Sequence, residues 1–439
     1  MRFFGDVPAS AHPRISSPSP SRRSRGVGGW PLPPLAIVVL ALLSATGCRE
    51  QAAPGGDQWE VERFIENGIE VVRTLQGSTW GEAAELVEEI RIGVLDGQEE
   101  YMFGRIQEVA PDGEGGVYVF DGQVPALRHY DAEGRYLRTL GGEGAGPGEY
   151  YDAALGLALL PDGLLLLRDP RNGRFTLYDR DGVAVEHWPL ASGLFTSRAT
   201  AVDTAGHVYA RILTDPIEPG QPWPIGLLHL DNEGQVIDTI LSPSIDGEPS
   251  GATGTFSPAK RWDLHPHGYL VVGVSDRYAI ELRRPEGTLR IEKRAGRVAV
   301  HPEERAQHEA RRQHMIRTQG ESLAAEPPPI PRQKPFFRNI YAGEDGSIWV
   351  HRHEEATLRE PDPDRPEPDP NAPPPLDWIE PTVFDVFEPD GTYLGRVTVP
   401  PRTSLRTFST DVVWATRQGE FDELYLVRLR VVPPGNEGG

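Results

Sequence analysis

Short polar turns centred on glycine recur along most of the chain, and they constrain its fold more than any other feature. The first set comprises APDGEGGVYVF (110–120), LPDGLLLL (160–167), DTAGHVYA (203–210), HPHGYLVV (265–272) and GEDGSIWV (343–350). The second set comprises YDAEGRYL (130–137), YDRDGVAV (178–185), LDNEGQVI (230–237), RPEGTLRI (284–291) and EPDGTYLG (388–395). Alternating apolar residues flank these turns, which is typical of β-hairpins. Because the units repeat, the sequence predicts a repeat architecture.

Two hairpins give four strands, which is one blade of a β-propeller. Five units are complete, and DVVWATR (411–417) with ELYLVRLRVV (423–432) forms half of a sixth. We expect GIEVVRTL (68–75) and ELVEEIRIGV (85–94) to supply its missing outer strands, a two-plus-two closure that removes the open sheet edge. The predicted fold class is therefore all-β, a six-bladed β-propeller over residues 67–432 with N- and C-terminal strands closing the last blade.

The stretch RTLGGEGAGPGEY (138–150) raises the question of a phosphate-binding loop. It contains no GxGxxG register, and Pro147 stands where a Walker-type loop would continue into Lys and Ser or Thr. We therefore interpret it as the crossover from blade one to blade two, in which glycines permit a tight path.

The N-terminal region has the features of an export signal. Arginines precede the apolar run PLAIVVLALLSA (34–45), which is too short for a comfortable membrane span, and the only cysteine, Cys48, follows Thr-Gly. The arrangement resembles a bacterial lipobox, which implies a signal peptide at 1–47, lipidation of Cys48 and a tether at 48–66. By the same resemblance, Arg49 after the cysteine implies that the protein is anchored in the outer membrane, on its periplasmic side or at the cell surface. The alternative is a stray cysteine behind an ordinary signal peptide.

The overall charge excludes one class of partner. The chain has 65 Asp and Glu against 44 Lys and Arg, a formal net charge of −21. A surface this acidic repels nucleic acid unless a local basic patch overrides it. We expect no nucleic-acid partner and a monomer.

The first two units resemble a known repeat. GGVYVFD followed by RHYDAEGRYLRTLGGEGAGPGEY in unit one, and DPRNGRFTLYDRDG in unit two, are similar to the NHL repeat. Over roughly 100–430 the chain resembles bacterial six-bladed propeller lipoproteins of that group. The resemblance implies that Asp121 and Asn172–Arg174 have a structural role within their blades.

One face of the predicted propeller carries the long connections. They are 141–153, 211–226, 242–261, 295–335 and 351–381. Two of these connections contain insertions into the propeller, at 295–335 and 355–378. We expect a helix at about 302–318 in the first insertion. In the second, we expect the acidic, proline-rich run 360–375 to be disordered. Function concentrates on loops held by a rigid scaffold, so this face is the candidate binding face.

Basic residues recur where the inner strands begin on that face. The residues eight positions before the turn glycines include Arg105, Arg198, Lys260 and Arg338, and Arg261 follows Lys260. The ends of the second strands add Arg168, Arg211 and Arg352. Converging guanidinium groups suit a carboxylate, phosphate or sulfate. In the alternative interpretation, each Arg ties neighbouring blades together through carboxylates such as Asp121, Asp152 or Asp169.

Histidine pairs raise the possibility of metal. HRHEE (351–355) places His351 and His353 on one side of an extended chain on the elaborated face, which makes them weak metal-ligand candidates. HEARRQH (308–314) is not a zinc-protease motif, because its histidines are six residues apart. The sequence requires no cofactor, and Ca or Zn remain open.

The leading functional hypothesis is therefore a non-catalytic envelope lipoprotein. One propeller face would bind a partner protein or a small anionic ligand, glycans included. The alternative is a metal-dependent propeller enzyme of the lactonase, hydrolase or lyase type, which propellers of similar build imply. No catalytic residue is assigned, since neither family's ligand pattern transfers to this sequence.

Overall fold

The computed structural model describes residues 59–152, 156–190, 200–217, 223–249, 253–319, 326–359 and 371–435. The predicted signal peptide, Cys48, Arg198 and most of the acidic excursion lie outside the described residues. In the described part of the chain, no helix is long and apolar enough to cross a membrane.

The first half of the chain forms three N-terminal strands and three blades. The N-terminal strands are β1 (Glu60–Glu66), β2 (Ile69–Gln76) and β3 (Glu85–Ile92), followed by a 3-10 turn, Glu99–Tyr101. Blade one contains β4 (Ile106–Pro111), β5 (Val117–Asp121), β6 (Ala126–Tyr130) and β7 (Tyr136–Leu140); β8 (Gly142–Glu143) and β9 (Glu149–Tyr150) follow. Blade two contains β10 (Leu157–Leu159), β11 (Leu165–Asp169), β12 (Arg174–Tyr178) and β13 (Ala184–Pro189). Blade three contains β14 (Ala201–Val202), β15 (Val208–Leu213), β16 (Ile225–Leu230) and β17 (Val236–Ile240).

The second half forms three more blades and a helix. Blade four contains β18 (Lys260–Leu264), β19 (Leu270–Val274), β20 (Ala279–Arg284) and β21 (Gly287–Lys293), and helix α1 (Pro302–Gln319) follows it. Blade five contains β22 (Phe337–Ala342), β23 (Ile348–Arg352), β26 (Val383–Phe387) and β27 (Tyr393–Thr398), with β24 (Thr357–Leu358) and β25 (Trp378–Ile379) paired between its inner and outer halves. Blade six contains β28 (Thr403–Leu405), β29 (Val412–Gln418), β30 (Leu424–Val432) and, outermost, β3. The described strands thus form a six-bladed β-propeller, which confirms the predicted fold class.

Aspartates in the repeated turns explain why the hairpins form where they do. In each of several turns one carboxylate oxygen accepts the backbone N–H groups two and four residues later, at 2.8 to 3.0 Å. These aspartates are Asp112, Asp131, Asp179, Asp203 and Asp231. The side chain replaces the partners that the backbone loses as it reverses, so the sequence itself encodes the turn.

Neighbouring blades pack face to face through apolar side chains. Blades one and two share a cluster that includes Phe120, Leu127 and Tyr178, and blades six and one share a cluster that includes Trp414 and Tyr130. Comparable clusters join the other neighbouring pairs in the described chain. Full burial of one such side chain contributes about 1.5–3 kcal/mol, so these interfaces hold the ring together.

The closure of blade six is partly different from the prediction. Residues 85–92 do form its outermost strand, but β2 instead runs parallel to β21 and, with β1, extends blade four to six strands. The expected two-plus-two closure is therefore wrong, and three strands from the C-terminal part join one from the N-terminal part. The sequence pattern missed β28 because it is short and no glycine turn joins it to β29.

Residues 60–92 form a belt around the outer edges of blades four, five and six. Between β2 and β3, the backbone N–H groups of Thr79 and Trp80 donate to the carbonyls of Tyr393 and Leu394, on the outer strand of blade five. Ala84 pairs with Val397 on the same strand. Residues 60–66, which the sequence assigned to a tether, are the first strand of this belt.

The glycine-rich stretch lies between blades one and two, as expected. Gly141, Gly144 and Gly148 have positive φ values of 64°, 149° and 74°. Asn172 and Arg174 of blade two donate to the carbonyls of Gly144 and Glu149. The loop is thereby fixed to the neighbouring blade by its backbone.

Candidate ligand-binding site

Three of the long connections converge where blades four and five meet. Residues 253–257 arrive from blade three, α1 with residues 326–336 leads from blade four to blade five, and residues 353 and 371–380 belong to the insertion within blade five. They border two adjacent, half-open cavities of about 290 and 430 Å³. The candidate site is therefore built from insertions resting on two blades.

The smaller cavity, here the blade chamber, has mixed polar and aromatic walls. It is lined by Gly254, Thr255, Phe256, Ser257, Arg261, Ser275, His308, Pro335, Phe337, Arg338 and His353. The larger cavity, the helix chamber, is lined by Thr253, Gly254, Thr255, His308, Arg311, Arg312, His314, Met315, Thr318, Pro327, Pro328, Ile330, Pro373 and Leu376. Gly254, Thr255 and His308 belong to both walls, so the chambers adjoin.

The walls of both chambers differ in charge from the rest of the molecule. Among the described lining residues none is Asp or Glu, whereas four are Arg and three are His. In a chain with 65 acidic and 44 basic residues this is a local reversal of sign. The chambers are therefore suited to a negatively charged ligand.

A buried cluster of charged residues packs against the wall of the blade chamber. Lys334 is fully buried, and its Nζ lies 2.7 Å from Glu304 of α1 and 3.2 Å from Glu380. Glu380 also contacts Arg338 Nη2 at 2.5 Å and His353 Nδ1 at 3.0 Å. The cluster thereby ties α1 to blade five and fixes the orientation of two residues in the chamber wall.

Burial and charge set the protonation states in this cluster. Burial on its own would raise the pKa of Glu380, but the hydrogen bond with His353 and the charge of Arg338 outweigh it, and the pKa is about 2. Burial lowers the pKa of His353, and it also lowers the pKa of His308. Both imidazoles are therefore neutral at pH 7 while Glu380 is ionised.

Phe256 forms the apolar part of the blade chamber wall. Its backbone φ is 60°, in the left-handed region that a phenylalanine rarely adopts. Its ring packs edge-on against His308 and His353, with centroids 5.0 and 5.4 Å apart, and it joins Val300 and Ile330 in a small core. The surrounding contacts thus hold this residue in a strained conformation at the site.

Two of the basic residues predicted from the sequence line the blade chamber. Arg261 Nε donates to the carbonyl of Arg338 at 2.6 Å, which joins blade four to blade five. Arg338 extends outward, with 40% of its side chain exposed, and pairs with Glu380. The structure brings these two candidates together and places the other described candidates elsewhere.

Those other basic residues have protein partners within or between blades. Arg168 donates to the carbonyl of Arg211 at 3.1 Å, and Arg211 Nη2 lies 3.4 Å from Asp263. Lys260 pairs with Glu248 at 2.7 Å, Arg352 pairs with Glu354 at 2.7 Å, and Arg105 donates to the carbonyl of Gly122 at 2.8 Å. Of these contacts, Arg211–Asp263 is a carboxylate tie between neighbouring blades, as in the alternative interpretation, whereas Arg168 reaches the next blade through a backbone carbonyl. Arg105, Lys260 and Arg352 contact groups in their own blade or in the connection next to it, and none of these contacts uses Asp121, Asp152 or Asp169.

The inter-blade contacts follow a shared pattern. Arg168, Arg211 and Arg261 each donate to a backbone carbonyl of the next blade, and Arg406 of blade six does so to Gln107 of blade one. The sequence pattern missed Arg406 because no glycine turn joins β28 to β29, so counting back from turn glycines does not reach this position.

The two histidines proposed as weak metal ligands have separate partners. His351 packs against Phe384, with ring centroids 4.9 Å apart, whereas His353 contacts Glu380 and Phe256. Within the described ranges, no group of three or more His, Cys, Asp or Glu side chains is arranged to hold a metal ion.

Several residues of the site carried no recognisable sequence signal. Phe256, Ser257, His308 and Lys334 lie in long connections that the sequence identified as a whole, without showing which of them meet in space. The helix expected at about 302–318 lies at 302–319 and contributes His308.

No protein-family model matches the sequence, and no curated protein sequence matches it. Solved structures with a similar arrangement include a member of the DUF4221 family from Bacteroides vulgatus, with a TM-score of 0.47 and 12% identity, covering 80% of this chain and 99% of that one. A gluconolactonase from Xanthomonas campestris has a TM-score of 0.35 and 13% identity, covering 75% and 87%. Virginiamycin B lyase from Staphylococcus aureus has a TM-score of 0.34 and 10% identity, covering 77% and 83%. At these identities the likeness concerns the fold alone, and the reactions in those names belong to those proteins.

Proposed function

We propose that this chain is a non-catalytic binding protein that takes up a small anionic ligand between blades four and five. The proposal rests on the charge of the two chambers, which is opposite in sign to that of the whole chain: their described walls contain Arg and His but no Asp or Glu. A cavity that excludes carboxylates in an acidic protein attracts anions and disfavours cations.

The blade chamber offers donors suited to an oxyanion. The hydroxyl oxygen of Ser257 accepts the N–H of Gly254 at 3.0 Å, and that of Ser275 accepts the N–H of Ala259 at 3.0 Å. Each oxygen is thus fixed in place, while a hydroxyl also has one hydrogen to donate. With Arg261 and Arg338 in the same wall, the ligand meets charged and neutral donors together.

The proposal includes the location that the sequence implies. Cys48 is the lipidation site, and the lipid holds an NHL-type propeller at the outer membrane with its elaborated face free to bind. The support for this part is the lipobox resemblance and the repeat resemblance in the first two units.

A thermal-shift screen of the purified full-length chain tests the binding site. We expect a monocarboxylate, phosphate, sulfate or uronic sugar to raise the Tm, with a smaller rise at high salt because screening weakens the attraction. Arg338→Gln should remove the shift. Arg135→Gln is the matched control, since Arg135 is also an exposed arginine paired with carboxylates but lies on blade one.

Two results would contradict the proposal. One is the absence of a shift with every anion, and the other is an equal shift in the wild type and in Arg338→Gln. Elemental mass spectrometry on the same preparation addresses the competing hypothesis, because a stoichiometric metal ion would favour the metal-dependent enzyme.

A further inference from the structure

We infer that the ligand of the blade chamber is a hydroxycarboxylate, a small organic acid whose hydroxyl group donates a hydrogen bond to His353. This inference rests on the proposed function and specifies the ligand class. It follows from three observations: the contact between His353 and Glu380, the donors that lie in the same wall, and the lack of carboxylates in the described part of that wall.

The contact with Glu380 fixes which ring nitrogen of His353 carries the hydrogen. Nδ1 lies 3.2 Å from Oε1 and 3.0 Å from Oε2 of Glu380. Because Glu380 is ionised, its carboxylate only accepts hydrogen bonds, so Nδ1 is the donor. The imidazole is neutral at pH 7, and its second nitrogen then has a free lone pair. Nε2 of His353 is therefore a hydrogen-bond acceptor.

The surroundings of His353 hold the ring in place and leave Nε2 for a ligand. The side chain is 8% exposed, the backbone N–H donates to the carbonyl of Phe336 at 3.3 Å, and the ring packs edge-on against Phe256. His353 lines the blade chamber, and the described residues provide no hydrogen-bond partner for Nε2. Since an acceptor covered without a donor is costly, the chamber favours a ligand that brings one.

Donors in the same wall suit the acid group of such a ligand. Arg338 Nη2 lies 2.5 Å from Oε1 of Glu380, so Arg338 and His353 are held on the two oxygens of one carboxylate. The hydroxyls of Ser257 and Ser275 accept backbone N–H groups and keep a hydrogen to donate. Because the charged donor and the neutral acceptor are close together, a few bonds separate the carboxylate of the ligand from its hydroxyl.

The charge of the wall decides between a hydroxyl and an ammonium group as the donor to Nε2. An ammonium group requires a carboxylate to offset its charge, and the described wall contains Arg and His but no Asp or Glu. Glu380, which lies against the wall, is already bound by Lys334, Arg338 and His353. A hydroxyl group donates without a charge, so the site favours a hydroxy acid over the corresponding amino acid.

Two matched sets of ligands test the inference by calorimetry on the full-length protein at pH 7. One set is propionate, lactate and alanine, and the other is butyrate, 3-hydroxybutyrate and 3-aminobutyrate. In at least one set, we expect the hydroxy acid to bind about fivefold to tenfold more tightly than the unsubstituted acid, which is the effect of one added hydrogen bond. The amino acid should bind more weakly than either. This comparison uses the wild type and does not depend on the folding of any variant.

Two substitutions at His353 separate the roles of its nitrogens. His353→Asn keeps an amide N–H near the position of Nδ1 and removes Nε2, so the hydroxy and unsubstituted acids should bind equally. His353→Gln places an amide oxygen near the position of Nε2 and should keep part of the preference. His351→Asn is the matched control, because His351 packs against Phe384 and is not part of the described chamber wall. It should leave the preference unchanged.

The possible failures are distinguishable. If no anion of any kind binds, the proposed function itself fails. If phosphate or sulfate binds but no carboxylate does, or if hydroxy and unsubstituted acids bind equally in both sets, the proposed function stands and this inference is overturned. Tightest binding of an amino acid would also overturn it. So would a full hydroxy-acid preference in His353→Asn, because the hydroxyl would then donate to another group.

Discussion

Individual buried carboxylates connect the blades of this propeller. Asp385 of blade five is fully buried, and it accepts hydrogen bonds from Tyr278 and Tyr393, each at 2.6 Å, and from Lys293 at 2.7 Å. Tyr278 and Lys293 belong to blade four or its edge. Burial would raise the pKa of Asp385, but Lys293 and Arg352 outweigh it and hold the pKa at about 2. The side chain is thus an ionised link between blades.

Replacing this carboxylate tests its contribution to stability. Asp385→Asn leaves Lys293 without its buried counter-charge, and we expect a loss of about 3–5 kcal/mol in the free energy of unfolding. Because the folded pKa is below the unfolded value of 3.8, the stabilisation is present above about pH 4 and is lost as the pH falls toward 2. We therefore expect urea denaturation at pH 7, 4 and 2.5 to show that the difference in the free energy of unfolding between wild type and variant decreases as the pH falls.

Asp411→Asn is the control for that measurement. Asp411 also pairs with an arginine, Arg430, but its side chain is 76% exposed, so the expected change is below about 1 kcal/mol. Equal urea midpoints for the wild type and Asp385→Asn at pH 7 would contradict the assigned role.

At the scale of secondary structure, the belt of residues 60–92 has two separable parts. β1 and β2 add to a blade that already has four strands, whereas β3 completes blade six. Val61, Val71 and Val72 are buried in the first part, and Ile92 is buried in the second. The two parts therefore differ in what their loss exposes.

Two truncations distinguish these parts. Removal of residues up to 77 should give a folded, monomeric propeller with a lower Tm, because all six blades keep four strands. Removal up to 93 should give an aggregating protein, because β30 then becomes an open edge and the six–one interface loses Ile92. Gel filtration and circular dichroism measure both outcomes. A soluble, cooperatively folding product of the longer truncation would show that β3 does not close the ring.

Turn chemistry made the elements of blades one to five predictable from the sequence. Asp112 and Asp231 mark turns by a local mechanism that needs no knowledge of the rest of the fold. The placement of β2 depends instead on which sheet edge its apolar face meets, and that information is non-local. The candidate site is non-local in the same way: Arg261 and Arg338 were found by their register, whereas Phe256 and Lys334 reach the site only because separate connections converge.

Across the whole molecule, arginine contacts join blades that are distant in sequence. Arg406 of blade six donates to the carbonyl of Gln107, and beside it Glu108 of blade one is 8% exposed. Burial raises the pKa of Glu108 to about 7, although the charges of Arg406 and Arg168 oppose the rise. One acidic group is therefore influenced by cations from two neighbouring blades.

This arrangement predicts how ring stability depends on alkaline pH. The folded pKa of Glu108 is above the unfolded value of 4.5, so its favourable contribution is complete below that value and is lost as the pH rises through 7. Glu108→Gln should be close to wild type in stability at pH 5 and more stable by up to about 3 kcal/mol at pH 8.5.

Thermal or urea unfolding at the two pH values measures this effect. Glu133→Gln is the control, because Glu133 is 66% exposed and pairs with Arg135 on the outside of blade one. A Glu108→Gln variant with the same stability difference from wild type at both pH values would exclude the proposed titration.

The belt also fixes an order of events during biosynthesis. The belt is synthesised before any of the six blades, yet β2 can pair only with β1 until β21 is made, and β3 has no partner strand until β30 follows more than 300 residues later. Blades one to three can fold as they are synthesised. Blades four to six, by contrast, pack their outer edges against the belt, which was synthesised earlier and has had none of these blades to pack against. An extended, unpaired strand is the species that chaperones capture and that aggregates when they do not. The yield of this protein in a cell will thus depend on how well residues 60–92 are protected until the last blade is complete.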